Sequence, residues 1–506
     1  MATPLPPTPS AADSQDLAGF GYRQELARTL GSFSAFAAGF SYISILTGVF
    51  QLFYAGFAAG GPAFFWTWPL VFAGQFLVAL CLAELAAHYP VSGSVYQWAR
   101  QTGHRAVGWM AGWVYLACLV ITLAAVVLAL RTPVAYVVRW SGLLSGTAFP
   151  LDGPGAAVLL GCLLIGFTTL VNSVGVRLLA RINNVGVFTE LIGSVGLIVL
   201  LAAHARRGPA VVLDTQGKGA SEPWGYLGPF LAAGLMATYV MYGFDTAGSL
   251  AEETTAPRRK APRAILQALA AAALVGGLLM LCALMAVGDA HAAELGQEAH
   301  GLFYAVEDTL GEDLATVFVC DILFAITVCA LAVHTGTGRL IFAMARDNNL
   351  PFARALARVW PASRVPVVPV VASGLAAAGV LVLFANFQQL TNVVAGVAVL
   401  WANLAYLFVV VPLLFCRLRG WPASAGTAGG KVFALGRWGV AVNLLAAVWG
   451  VAVVVNIGWP RPEVYGEAWY ERYSALLLTG ALLAAGGAYY ALVQRHKTGV
   501  LPEHQV

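Results

Sequence analysis

Hydrophobic residues fall along this chain in long blocks separated by short polar loops. The blocks predict membrane-crossing helices at about 30–56, 63–88, 106–130, 155–174, 183–204, 227–251, 265–288, 314–343, 366–385, 388–415, 438–457 and 473–494. Two blocks are interrupted by polar and small residues. The first contains GFSYISILTGVFQLF, with Ser41, Ser44, Thr47 and Gly48 clustered in it. The sixth ends in YVMYGFDTAGSLAEETT, where Gly243-Phe244-Asp245 and Gly248 precede Glu252 and Glu253. A carboxylate beside a glycine at membrane depth is expensive unless it faces protein, water or a solute. Glycine there lets a helix unwind, which frees backbone amides and carbonyls.

Read alone, either interruption is equally well a packing seam, with Asp245 capping the segment that follows it. Together they stand five spans apart. Interruptions at corresponding places in two halves point to a transporter built from inverted repeats, with its site near the bilayer midplane. A half-helix starting near Gly48 would aim the positive end of its dipole at an anion.

Composition narrows the class. Hydrophobic residues make up 59% of the chain and charged residues 10%, against about a quarter charged in soluble domains. With 506 residues, the spans leave little length for a separate soluble domain. The net charge of +4 is small and its basic residues are scattered over loops, which gives no support to nucleic-acid binding. Placing both termini in the cytoplasm puts Arg23, Arg28, Arg100, Arg105, Arg177, Arg181, Arg258, Arg259, Lys260, Arg263, Arg346, Arg354, Arg358, Arg364, Arg417, Arg419, Lys431, Arg437, Arg495 and Lys497 on that side. The other side then keeps about a third as many basic residues. All seven cysteines lie in apolar runs without metal-ligand spacing, as packing residues do. No phosphate-binding loop, dinucleotide glycine pattern or nucleophile elbow fits the spans, so neither catalysis nor an organic cofactor is expected.

Four motifs resemble the amino acid–polyamine–organocation transporter superfamily: FSYISILTGVF, AELAAHYPVSGSVYQWARQTG, YGFDTAGSLAEETTAPRRKAPRAI and GRLIFAMARDNNLPFARALARV. The serine-rich first motif and the Glu-Glu-Thr ending are most similar to the amino acid/choline branch. The resemblance implies an all-α integral-membrane fold of about twelve helices. It would be a LeuT-like 5+5 inverted repeat with helices one and six broken, plus two C-terminal helices. In domain terms, a disordered cytoplasmic tail over 1–22 precedes one transporter domain over 23–495. Within it the repeats cover about 23–204 and 225–416, the added helices about 437–494, and a cytoplasmic tail over 496–506 follows. The resemblance also implies that backbone at Ser44, Ile45, Leu46, Thr47 and Gly48 receives the carboxylate of an amino acid. Carbonyls at Tyr242, Gly243 and Phe244 would face its amine, with Phe244 closing over it.

Asp245 is a contact for the substrate amine or a helix cap. Glu190 replaces a lysine found in many relatives, and a carboxylate there can carry a proton or ligate sodium. It can equally be a hydrogen-bonded structural group held by Asn184 or a neighbouring hydroxyl. Thr335 and Thr337 could add hydroxyls to a cation, although threonine in a membrane helix often bonds its own backbone. His334 reads more simply as a packing residue. Glu84, Tyr89, Arg346 and Asp347 sit at cytoplasmic helix ends and could close a gate, or snorkel and cap. The expectation is a permease of the inner or plasma membrane for a small amino acid or amine, coupled to protons or sodium and surrounded by lipid. The alternatives are a choline or polyamine permease, or a receptor that binds such ligands without moving them.

Overall fold

In lipid a backbone amide can be satisfied only within its own helix or by protein around it, so long apolar blocks become helices. The computed structural model describes residues 17–141, 154–361, 363–385, 390–422, 432–497 and 499–505. Among them the only β-type pairings are two isolated bridges, Leu30 with Thr254 and Trp360 with Val365.

The helices are α1 (Ser32–Ile43), α2 (Ile45–Gly60), α3 (Thr67–His88), α4 (Ser94–Thr102), α5 (Arg105–Leu128) and α6 (Arg131–Ser141). Then come α7 (Pro154–Val174), α8 (Val176–Ala203), α9 (Leu227–Val240), α10 (Thr246–Ser249), α11 (Pro257–Ala286) and α12 (Leu302–Leu310). The last are α13 (Glu312–Arg346), α14 (Val367–Phe384), α15 (Leu390–Leu418), α16 (Gly439–Gly458) and α17 (Ser474–Leu492). Among the described residues, ten stretches are long and apolar enough to cross a membrane, α1 with α2 and α5 with α6 each counting as one. The other two expected spans coincide with the shorter apolar helices α9 and α14.

Burial separates centre from rim. In the most apolar window of α1–α2, 83% of residues are buried, against 6% for α17. The centre is α1–α2 with α5, α9, α13 and α15; α16 packs on α15 and α3, and α17 on α15 and α5. Leu170, Leu274, Leu375 and Leu383 face outward, as they do on a lipid-contacting surface. Tryptophans 224, 459 and 469 are exposed at helix ends, where an amphipathic ring suits a membrane interface.

The described parts of both tails pack against the bundle. Residues 1–16 of the expected disordered segment lie outside the described residues, but 17–22 are packed: Leu17 and Tyr22 form a small core with Val91. The C-terminal segment also folds back. The Leu501 amide donates to the Arg346 carbonyl at 2.9 Å, and the Arg23 amide donates to the His504 carbonyl at 3.2 Å. Both tails therefore cover the arginine-rich end of α13.

Candidate functional site

The first break lies at Ser44, four residues before the glycine where the pattern suggested it. Ser44 separates α1 from α2 with φ 33° and ψ 98°, a conformation that costs a non-glycine residue of order 1 kcal/mol or more. Local bonds hold it there. The Ser44 amide donates to the Phe40 carbonyl at 2.8 Å, closing α1, while its carbonyl accepts the Gly48 amide at 3.0 Å, opening α2. Its hydroxyl lies 2.6 Å from the Thr47 hydroxyl. A serine supplies the hydrogen bonds that a glycine could not, which explains the displacement.

The second break spans Met241 to Asp245, between α9 and α10. Gly243 has φ +82°, and a Cβ there would come within 1.9 Å of the Tyr42 ring. Only glycine fits both the dihedral and the space. The Gly243 carbonyl is already taken by the Thr246 hydroxyl at 2.8 Å. The carbonyls of Tyr242 and Phe244 accept no hydrogen bond among the described residues. Of the three carbonyls expected to face an amine, these two are available. Phe244 is fully buried, with its ring 5.5 Å from that of Tyr406.

The two breaks meet at a narrow cavity lined by Tyr42, Thr47, Gly48, Thr122, Tyr242 and Cys329, among others. Start of α2 and end of α9 thus share one space with α5 and α13. Thr122 and Tyr242 pair their hydroxyls at 2.8 Å, and Tyr239 donates to Gln51 at 3.1 Å. The sequence reading missed Tyr42, Thr122, Tyr239 and Cys329; hydroxyls and thiols inside apolar blocks were the available signal.

Glu190, on α8, reaches the first break. Its Oε1 accepts the Ser44 hydroxyl at 2.9 Å and the Leu46 amide at 3.1 Å. Asn184 bonds Ser34 instead, so of the structural partners considered the neighbouring hydroxyl is the one realised. Glu190 is buried, and its Oε2 has no hydrogen-bond partner among the described residues. A carboxylate therefore already sits on the amides at the start of α2.

Thr335 and Thr337 are not brought to this point. Thr335 donates to Asn172 Oδ1 and to the Leu331 carbonyl, both at 2.7 Å, and Thr337 to the Val333 carbonyl at 2.8 Å. The residue of α13 level with the first break is Cys329, whose Sγ lies 3.4 Å from the Tyr42 carbonyl. Thr335, six residues on, is displaced by about 9 Å at 1.5 Å per residue. His334 bridges α7 and α14, between the Thr168 hydroxyl and the Val370 carbonyl, each at 2.9 Å.

Asp245 stands at the N-cap position of α10 without capping it through its side chain. Instead Ser94 of α4, Tyr115 of α5 and Tyr406 of α15 all donate to it at 2.7 Å. It ties α4, α5 and α15 to the second break. Two of those hydroxyls already accept a bond, Ser94 from Ser249 and Tyr406 from the Gly243 amide, so accepting a second from an amide would leave their own O–H groups without Asp245 as partner. Asp245→Asn would set an amide donor against hydroxyl donors. The expected cost is about 1–3 kcal/mol for the unsatisfied group, read as a lower melting temperature of the purified protein together with weaker uptake. Unchanged melting and uptake would restore the capping role.

The arginine-rich end is closed by ion pairs. Arg346 engages both oxygens of Glu252, at 2.9 and 3.1 Å, and Arg339 pairs with Glu253 at 2.9 Å. All four side chains are buried. Asp347 accepts from Tyr22 at 2.9 Å and Tyr96 at 2.8 Å, and pairs with Arg100. Burial, with the Asp347 charge adding to it, pushes the Tyr22 phenol up to about 12, so it stays a donor at neutral pH. Glu84 pairs with Arg417 on α15, apart from this group. A network at these helix ends was one of two readings, beside snorkelling and capping; the partner of Arg346 is Glu252 from the sixth block.

Comparison with known proteins agrees with this architecture. The family profile described as amino acid permease matches residues 30–482. The chain is 27% identical to the amino-acid permease BAT1 of Arabidopsis thaliana, over 94% of this chain and 93% of that protein. It is 27% identical to the BAT1 homolog of Oryza sativa subsp. japonica, over 87% of this chain and 86% of the relative. The GABA-specific permease of Saccharomyces cerevisiae is 25% identical, over 78% and 71% respectively. A bundle of apolar helices, two of them broken around one small cavity, and a match along nearly its whole length lead to one conclusion: this multi-pass membrane protein belongs to the amino acid permease family, within the amino acid–polyamine–organocation superfamily, and is a transporter rather than an enzyme.

Proposed function

We propose that this chain is a secondary active permease of the inner or plasma membrane, moving a small amino acid or related amine by alternating access and driven by protons. In this reading it spans the membrane twelve times with both termini cytoplasmic. Helices α1 to α8 form one repeat of five spans, α9 to α15 its inverted counterpart, and α16 and α17 are added outside them.

One observation carries the reading: the carboxylate of Glu190 lies on the Ser44 hydroxyl and Leu46 amide at the start of α2. The positive end of a sixteen-residue half-helix holds an anion there, which is what a substrate carboxylate would need. Across the cavity, the free carbonyl of Tyr242 offers a seat for an ammonium. Protonation of Glu190 weakens its hold on the amides and clears them for the substrate. Once the substrate leaves on the cytoplasmic side, Glu190 loses its proton and takes the amides back. Asp245 and the Arg346–Glu252 pair keep the cytoplasmic path shut in the state described here.

The test is reconstitution. Proteoliposomes with an inward proton gradient should accumulate a radiolabelled amino acid, and a protonophore should collapse that accumulation. Thermal shift identifies which ligand to label, since binding to the native state alone adds about 2.7 kcal/mol at a hundredfold excess over Kd. A ligand that raises stability yet never crosses under a proton or sodium gradient would instead identify a receptor.

A further inference from the structure

We infer that the substrate is an amino acid with a short, uncharged side chain ending in a hydrogen-bonding group, and that the Tyr42 phenol is the residue that reads this group. The inference rests on the transport reading above and adds the class of side chain. Size sets the first limit. The space between the two breaks is narrow in this state, with room for about one water molecule, so a short side chain needs the least widening.

Charge sets the second limit. No lysine, arginine, histidine, aspartate or glutamate lines the cavity. The nearby carboxylate of Asp245 has both oxygens filled by hydroxyl donors, and Glu190 approaches the start of α2 from α8. The buried arginines Arg339 and Arg346 are paired with Glu253 and Glu252 at the far end of α13. With Glu190 protonated in the loaded state, a guanidinium, ammonium or carboxylate on the substrate side chain would be buried without a counter-ion.

Tyr42 supplies the positive half of the argument. It is 4% exposed and lines the cavity, yet its hydroxyl makes no hydrogen bond of good geometry among the described residues, the Thr122 hydroxyl beside it being engaged with Tyr242. The neighbouring hydroxyls are spoken for: Thr122 pairs with Tyr242, Tyr239 with Gln51, and Thr47 with Ser44. The Tyr42 ring is fixed by its close approach to Gly243 and by an edge contact with Tyr242 at 5.9 Å. A rigid, buried and unpaired phenol discriminates against a ligand that leaves it unpaired, because that ligand bears the desolvation cost.

Binding by thermal shift and counterflow in proteoliposomes would be measured for L-threonine, L-serine, L-valine, L-lysine, L-glutamate and choline. Threonine and valine have the same shape and differ by the hydroxyl. Wild type should prefer threonine over valine by at least about tenfold, and bind lysine, glutamate and choline more weakly than either. Tyr42→Phe keeps the ring on Gly243 and removes the hydroxyl; the threonine preference should shrink to within about twofold, with valine bound no less tightly. Lysine, glutamate or choline as the preferred ligand would overturn the substrate class while leaving the transport reading intact. A threonine preference that survives in Tyr42→Phe, or is absent in wild type, would overturn the role of Tyr42. Binding of none of the six would remove the transport reading beneath it.

Discussion

Glu190→Gln is expected to abolish uphill accumulation while leaving exchange across the membrane intact. Glutamine keeps the shape, and its amide oxygen can still accept from Ser44 or the Leu46 amide, but it can neither take up nor release a proton. In wild type, a one-unit pH gradient sustains about tenfold accumulation for one proton per substrate, since each unit is worth 1.36 kcal/mol. The variant should level off at about onefold. Two groups on α13 face the same region: Asp321, whose carboxylate lies against Gly193 of α8, and Cys329 beside the first break. Asp321 is therefore the control carboxylate, and Asp321→Asn should keep most of the gradient dependence. If the driving ion is sodium, wild type would need sodium at every pH and Glu190→Gln would lose that requirement together with tight binding. Undiminished accumulation by Glu190→Gln under a proton gradient would make Glu190 a structural residue.

Leucine at either break glycine should cut uptake by at least about tenfold, the factor produced by 1.4 kcal/mol. The two positions fail for different reasons. At Gly243 the backbone is left-handed and the first side-chain atom already collides with Tyr42, so the ring must move into the cavity. At Gly48 the dihedral is helical, and the added Cβ meets Val240 Cγ2 at 2.8 Å, where α2 and α9 approach each other. Gly48→Leu is thus the cleaner probe, because it crowds the junction without backbone strain. Both variants should insert and elute as monodisperse protein. Wild-type uptake by both would mean that the substrate passes elsewhere.

Some of this was legible in the chain order. Hydropathy blocks gave membrane helices because an apolar run of ~20 residues has no cheaper structure in lipid. Breaks in the first and sixth blocks were visible because glycine, serine and aspartate are costly in such runs. Positions that depend on neighbours were not visible. Helices apolar on nearly every side carry no stripe to announce their rotation, so nothing local says that Asp245 faces Ser94, Tyr115 and Tyr406. These partners lie 130 to 161 residues away along the chain. The same holds for Glu190 and Ser44, 146 residues apart, and for the unpaired hydroxyl of Tyr42. Thr335 and Thr337 suited a cation by residue type, but the register of α13 sets Cys329 at the break and leaves both threonines bonded to the turn below. The sequence by itself determined which segments are long and apolar enough to cross a membrane and which two blocks are interrupted. Only tertiary packing decided which side chains meet there, because helix rotation and register are fixed by close contact between side chains far apart in the chain.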